Sequence, residues 1–291
     1  ELCISKFKEL EFQAFIKEFE SKSSDSQSNL GSSQKVYHTV LDRSQLDIMI
    51  NEIKKSDLIS IHLETTSPTP SLAEIAGFSF SLIDNTGWYV PILYPEKNKN
   101  NFGNDDLDIV LNSLRNLFED ETLHKSGQNI KNDIYVLKKY GINVKGVVFD
   151  TMIAAHLLNP SIRSIHLENL SLEYLNYQIL NIDELIGKGK NQILISEVPI
   201  DKSSFYANEK ADIILQLTKI LQQRLIDNSL YKFFRTIEIP LIPILAEMEY
   251  NGVFVNSEML SSMSRDIGKK LDNLMSSIFS NAKKEFNINS T

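Results

Sequence analysis

The chain has 291 residues, 42% of them hydrophobic and 23% charged, enough apolar material for one large domain plus part of another. A net charge of −8 argues against an autonomous grip on duplex DNA, because neutralising phosphates needs a basic surface. One cysteine, Cys3, excludes an internal disulfide and a thiolate metal centre, and no apolar run reaches the ~20 residues of a bilayer span. A cytoplasmic monomer without membrane association is therefore expected. The start at Glu1 rather than Met, with no signal-peptide pattern, reads as an excised fragment.

Residues 1–20 place Phe7, Leu10, Phe12, Phe15, Ile16 and Phe19 at roughly helical spacing. Residues 21–35, about half serine and almost free of apolar side chains, cannot offset their chain entropy by burial and predict a flexible linker. Strand and helix patterns then alternate. Strands are expected over 36–41, 58–64, 75–83, 88–92, 122–126 and 147–150, with a turn at 84–87. Helices are expected over 44–55, 105–118 and 130–140, followed by mostly helical chain to 228. This order predicts an α/β sheet flanked by helices. Beyond 228 no strand pattern appears. Two long helices, 230–250 and 257–284, are separated by Asn251-Gly252, with Pro240 and Pro243 inside the first.

Side chains alternate along a strand, so His62 and Glu64 project to the same face of 58–64. Gly127-Gln128-Asn129-Ile130-Lys131-Asn132-Asp133 opens a predicted helix. Tyr206 and Lys210 lie one helical turn apart on another. Four segments, LISIHLETTS, SGQNIKNDIYVLKKYGI with VVFDTMIAAHLLNP, GKGKNQ, and YANEKADIILQL, follow the order and spacing of one known domain. They resemble the Klenow-type 3′–5′ exonuclease domain of family A DNA polymerases, the bacterial DNA polymerase I type. EIPLIPILAEMEYNGVFVN is similar to the first thumb helix of those enzymes, and FKELEFQAFIKEF to the tail of the 5′-nuclease domain before it.

The resemblance implies a ribonuclease H-like fold, a mixed sheet flanked by helices, followed by a helical thumb segment. It implies a 5′-nuclease tail at 1–20, a linker at 21–35, an exonuclease-like domain at 36–228 and the start of the thumb at 229–291. Active members carry Asp-x-Glu, a second-motif Asp and Tyr-x-x-x-Asp, whose four carboxylates hold two divalent cations ~3.5–4 Å apart. This chain keeps Glu64, Asp133 and Tyr206 but has His62 and Lys210 at the other two acidic positions. A neutral imidazole nitrogen offers one lone pair and cannot bridge two cations. An ammonium has no acceptor and repels a cation. Glu209 and Asp212 cannot substitute, since ~100° per residue turns them away from the face of Tyr206 and Lys210. Lys210 is expected to pair with Glu64 and Asp133 in place of the metal, and His62 to be a packed or solvent-facing histidine rather than a ligand.

The resemblance also puts Pro68 and Ile182 where the family has a leucine wedge and a base-stacking phenylalanine, which removes stacking of ~1–3 kcal/mol per base. Gln128, Asn129 and Lys131 match residues near the single strand, and as polar residues at a helix start they read equally as caps. Asp150 reads as a helix start. Gly187-Lys188-Gly189-Lys190 lacks the phosphate-loop spacing and reads as a basic surface loop. The sequence therefore predicts a fragment of a DNA polymerase I-type DNA-directed DNA polymerase acting in replication and repair. The fragment itself is expected to lack both polymerase and 3′–5′ exonuclease activity. No cofactor is expected in it, Mg²⁺ serves the parent polymerase, and its partners are DNA and the polymerase domain of the same chain. Two alternatives stand beside this reading. One is an active but altered metal-dependent 3′–5′ exonuclease; the other is a stand-alone nuclease or RNA-processing relative, against which the thumb-like segment argues.

Overall fold

The computed structural model describes residues 35–95, 106–162, 164–189 and 192–288. The expected helix at 1–20 and the linker up to residue 34 lie outside them. Strand β1 (Val36–Thr39) leads to helix α1 (Arg43–Ile53), whose first turn is capped by the Asp42 carboxylate accepting from the Gln45 N–H. Leu46, Met49, Ile50 and Ile53 give α1 one apolar stripe, which is buried. Strands β2 (Leu58–Thr65), β3 (Ile75–Ser81) and β4 (Thr86–Pro91) follow, then α2 (Asp106–Glu119), β5 (His124–Gly127), α3 (Ile130–Lys139) and β6 (Val147–Asp150). Among the described residues the strands form one six-stranded sheet in the order β1-β4-β3-β2-β5-β6. The β2–β3 and β3–β4 pairs are antiparallel and the others parallel. This is the mixed α/β sheet expected.

All seven residues of β3 are buried, as suits a central strand covered on both faces. The tight β3–β4 connection is possible because Asn85 adopts φ +64°, a conformation asparagine tolerates. Strand β4 begins two residues earlier than the sequence pattern suggests, because Thr86 pairs with Val36 across the parallel β1 ladder.

Helices α4 (Thr151–Leu158), α5 (Leu167–Leu175) and α6 (Ile182–Ile186) precede α7 (Ile200–Asp227), a 28-residue helix that packs across β1 to β5. Ser60 Oγ of β2 donates to the Ala211 carbonyl of α7 at 2.6 Å. By alternation that sets Ser60, His62 and Glu64 on the α7 side, while Ile59, Ile61 and Leu63 enter the core on the other.

The helix expected at 230–250 is divided. Helix α8 (Tyr231–Phe233) is followed by a π-helical turn (Phe234–Glu238) and α9 (Ile239–Asn251). The widened turn directly precedes Pro240, which has no N–H to give a carbonyl one turn back and whose ring would crowd it. Phe234 packs on Phe149 with ring centroids 4.8 Å apart, and Arg235 donates to the Val148 carbonyl at 2.6 Å. The first compact unit extends to Ala246, beyond residue 228 where the sequence changes texture. The second, from Glu247, contains α10 (Ser257–Ala282), which is capped by Asn256 and has no buried residue. Among the described residues no helix is long and apolar enough to cross a membrane.

Candidate functional site

Strand β2, helix α3 and helix α7 bring the sequence-selected residues together. His62 and Glu64 stand on one face of β2, opposite Ser79 and Gly77 of β3. Asp133 comes from the first turn of α3. Tyr206 and Lys210 lie one turn apart on α7, with Tyr206 fully buried. The Lys210 ammonium lies 3.3 Å from Glu64 Oε1, 3.4 Å from His62 Nε2 and 4.2 Å from the centre of the Tyr206 ring. His62 Nε2 is 3.5 Å from Glu64 Oε1, and its Nδ1 is 4.0 Å from Asp133 Oδ2.

The expected pairing of Lys210 with two carboxylates holds for Glu64 only. Asp133 approaches the other nitrogen of the imidazole, so the His62 ring lies between it and the ammonium. His62 is neither free in solvent nor simply packed: its side chain is 18% exposed and touches both acids.

Burial opposes the charge on Glu64, but the Lys210 ammonium and His62 outweigh it and hold the carboxyl down at about 2. Lys210 is raised above the ordinary lysine value, since Glu64 and Tyr206 outweigh its own burial. Burial first and the Lys210 charge second lower His62, keeping it neutral at pH 7. Burial drives Asp133 well above its ordinary value, against a backbone hydrogen bond from Leu63 and the Lys210 charge. Burial likewise pushes Tyr206 up to about 12. His62 Nδ1, Glu64 Oε1 and Asp133 Oδ2 are buried without a well-formed hydrogen bond. Among the described residues no group of three or more His, Cys, Asp or Glu side chains is arranged to hold a metal ion.

Glu209 and Asp212 point away, as helical geometry requires. Glu209 accepts from Lys35, Tyr177 and the Leu180 N–H. Asp212 accepts from Tyr37, the Asn85 N–H and Gln216.

His62 and Asp133 open onto a cavity of about 220 Å³ whose other walls include Thr65, Ser67, Pro68, Gln128, Asn129 and Asn132. Gln128 and Asn129 thus reach the site, whereas Lys131 and Ile182 do not line it. The capping reading of Gln128 and Asn129 fails for a specific reason. Gln128 donates to the Ile165 carbonyl at 2.7 Å and accepts from Thr151, and Asn129 makes no side-chain cap. Asp150 does the capping for two helices at once: Oδ2 accepts from Ile130 of α3 at 2.7 Å, and Oδ1 from Met152 and Ile153 of α4. Gly187 ends α6 and Lys188 pairs with Asp183 at 3.2 Å, consistent with a surface loop; Lys190 is outside the described residues.

Three features escaped the sequence. Lys139 donates to the Ser71 and Ala73 carbonyls, pinning the loop at the cavity rim. That loop is closed at its neck by reciprocal bonds between Thr66 and Glu74. Glu168 of α5 adds a further negative charge felt by His62, Tyr206 and Lys210. None of these has a local sequence signature, because the partners are brought in by the fold.

The 3′–5′ exonuclease family profile matches residues 37–226. DNA polymerase I of Pseudomonas aeruginosa is 31% identical over all of this chain and 32% of its own length. DNA polymerase I of Borreliella burgdorferi is 30% identical over 87% of this chain and 27% of its own length. The chain thus spans about a third or less of these relatives. Among solved structures, the POL domain of Pol1 from M. smegmatis, in complex with DNA primer-template and dNTP, superposes with a TM-score of 0.67 at 20% identity, over 87% of this chain and 39% of its own. Brucella melitensis NrnC with bound Mg²⁺ superposes at 0.55 and 18% identity, over 77% of this chain and 100% of its own. These structural likenesses establish the fold alone. With the family profile covering most of the described sheet and α7, the chain belongs to the 3′–5′ exonuclease family carried by DNA polymerase I.

Proposed function

We propose that the chain is a segment of a DNA polymerase I-type enzyme whose 3′–5′ exonuclease site is catalytically silent, retained for its structural support of the polymerase. In this reading residues 36–228 are the exonuclease-like domain, 229–291 begin the thumb, and 1–20 end a 5′-nuclease domain. DNA is engaged through the parent enzyme. The observation that carries the reading is the Lys210 ammonium 3.3 Å from Glu64 Oε1. Two hard cations need several anionic oxygens in common, and here a fixed cation already neutralises the retained glutamate. The residues present do not fit a magnesium pair. Glu64, Asp133 and Tyr206 are then remnants, and His62 and Lys210 replacements. Gln128 and Asn129 stay at a cavity wall where a strand end would lie, while Lys131 is beside it on α3.

Titration calorimetry with Mg²⁺ and Mn²⁺, run beside digestion of a 3′-labelled single strand, tests this directly. Neither binding nor digestion is expected. His62→Asp combined with Lys210→Asp should restore metal binding.

An alternative reading, an altered exonuclease working with one metal, draws on the unpartnered His62 Nδ1 and Asp133 Oδ2 that share the cavity. Metal-dependent digestion that disappears in Glu64→Ala would establish that alternative and overturn the silent site.

A further inference from the structure

Strand β1 is held differently from the rest of the sheet. It is an edge strand, pairing among the described residues with β4 alone, and its residues alternate between exposed and half-buried. Val36 is 45% exposed. Three of its four residues reach α7 through polar groups. Tyr37 donates to Asp212 at 2.9 Å, Thr39 and Ser204 share a hydroxyl bond of 2.5 Å, and Asn208 donates to the His38 carbonyl at 3.3 Å. Ser204, Asn208 and Asp212 recur every four residues, so one seam of α7 receives the strand. Lys35, just before β1, closes the seam. Its ammonium pairs with Glu209 at 2.9 Å, donates to Tyr177, and lies 4.2, 5.5 and 5.7 Å from the ring centres of Tyr177, Tyr37 and Phe205. Three aromatic faces and a carboxylate around one ammonium form a cation box of the kind that binds alkylammonium groups.

We propose that β1 is a releasable strap and Lys35 its latch. The strap opens as a unit while the remaining strands stay folded, because no residue of Val36–Thr39 belongs to the apolar core that β2, β3, β4 and β6 enter, and β1 is held by the β4 ladder and the polar seam.

Hydrogen exchange on the 291-residue chain, read by amide, tests the proposal. Lys35→Ala should accelerate exchange at least tenfold at residues 36–39 and at their β4 partners, leaving β2, β5 and α7 unchanged. Tyr37→Phe, which removes one seam bond and keeps the ring, should accelerate the same amides by less. n-Propylammonium added to Lys35→Ala should refill the box and slow exchange again. Unchanged exchange in β1, or acceleration spread evenly over the sheet, overturns the strap; absence of rescue by the amine overturns the latch.

Discussion

Two lysines are withdrawn from water in this molecule, and their surroundings send them in opposite directions. Lys210 faces a carboxylate and is raised. Lys125, on β5 and fully buried, faces two carbonyls, donating to Asp120 at 2.7 Å and Leu123 at 2.8 Å; burial, only partly opposed by Asp120, lowers it to about 8. An ammonium out of solvent keeps its proton firmly only where an anion answers it. At the candidate site the answering anion is Glu64, so under the proposed reading the lysine occupies the oxygen that a bound cation would need.

The sharpest way to break the comparison is Lys210→Met. It strands a buried carboxylate and should cost about 3–5 kcal/mol in urea unfolding at pH 7. Adding Glu64→Gln should recover most of that loss; if the single variant is as stable as the parent, the ion pair is not what holds the site.

Lys125→Met leaves two carbonyls without a donor and should cost about 1–3 kcal/mol. The two lysines also differ in pH response. Glu64 titrates at about 2 when folded against an ordinary 4.5, so the stability from its pair with Lys210 is present above pH 4.5 and lost as pH falls toward 2. Lys125 binds its proton more weakly folded, at about 8, than unfolded, at 10.5. Stability should therefore rise from pH 8 to 10.5, and Lys125→Met should abolish that component of the rise. A neutral amine still has two N–H groups for the two carbonyls, so the bonds survive deprotonation.

Asp150 is a third case, an acid answered by backbone N–H groups instead of a cation. Asp150→Ala uncaps α3 and α4 together and should cost about 1–2 kcal/mol, with Asp150→Asn losing less. The smallest effect is expected for Lys139→Met, which removes the donor that ties the Ser71 and Ala73 carbonyls of the rim loop to α3. About 0.5–1.5 kcal/mol is expected, with faster exchange confined to residues 66–74.

The sequence disclosed what depends on periodicity. Strand alternation put His62 with Glu64, helical spacing put Tyr206 with Lys210, and the same geometry turned Glu209 and Asp212 outward. It did not disclose contacts assembled from distant segments. Lys125 reads as an ordinary polar strand residue; its burial depends on the carbonyls of 120–123, folded against Gly146, where φ is +70° and a Cβ would meet the Leu123 oxygen at 2.5 Å. Composition averages over neighbours and so absorbs Lys35 into the serine-rich stretch, while its box comes from β1, α7 and the segment after α5. The place of Asp133 beyond His62 depends on how α3 docks, which no local pattern carries.

Glu209 accepts from three directions, and it is the residue immediately before Lys210. Because one residue is about 100° of helical rotation, those donors act as a key in a keyway for α7. Slippage by a single position would swing Glu209 or Ala211 toward Glu64 in place of the amine, and the key forbids it. The sign of the charge beside Glu64 can therefore be reversed by substitution at position 210, but not by any shift of the rod that bears it.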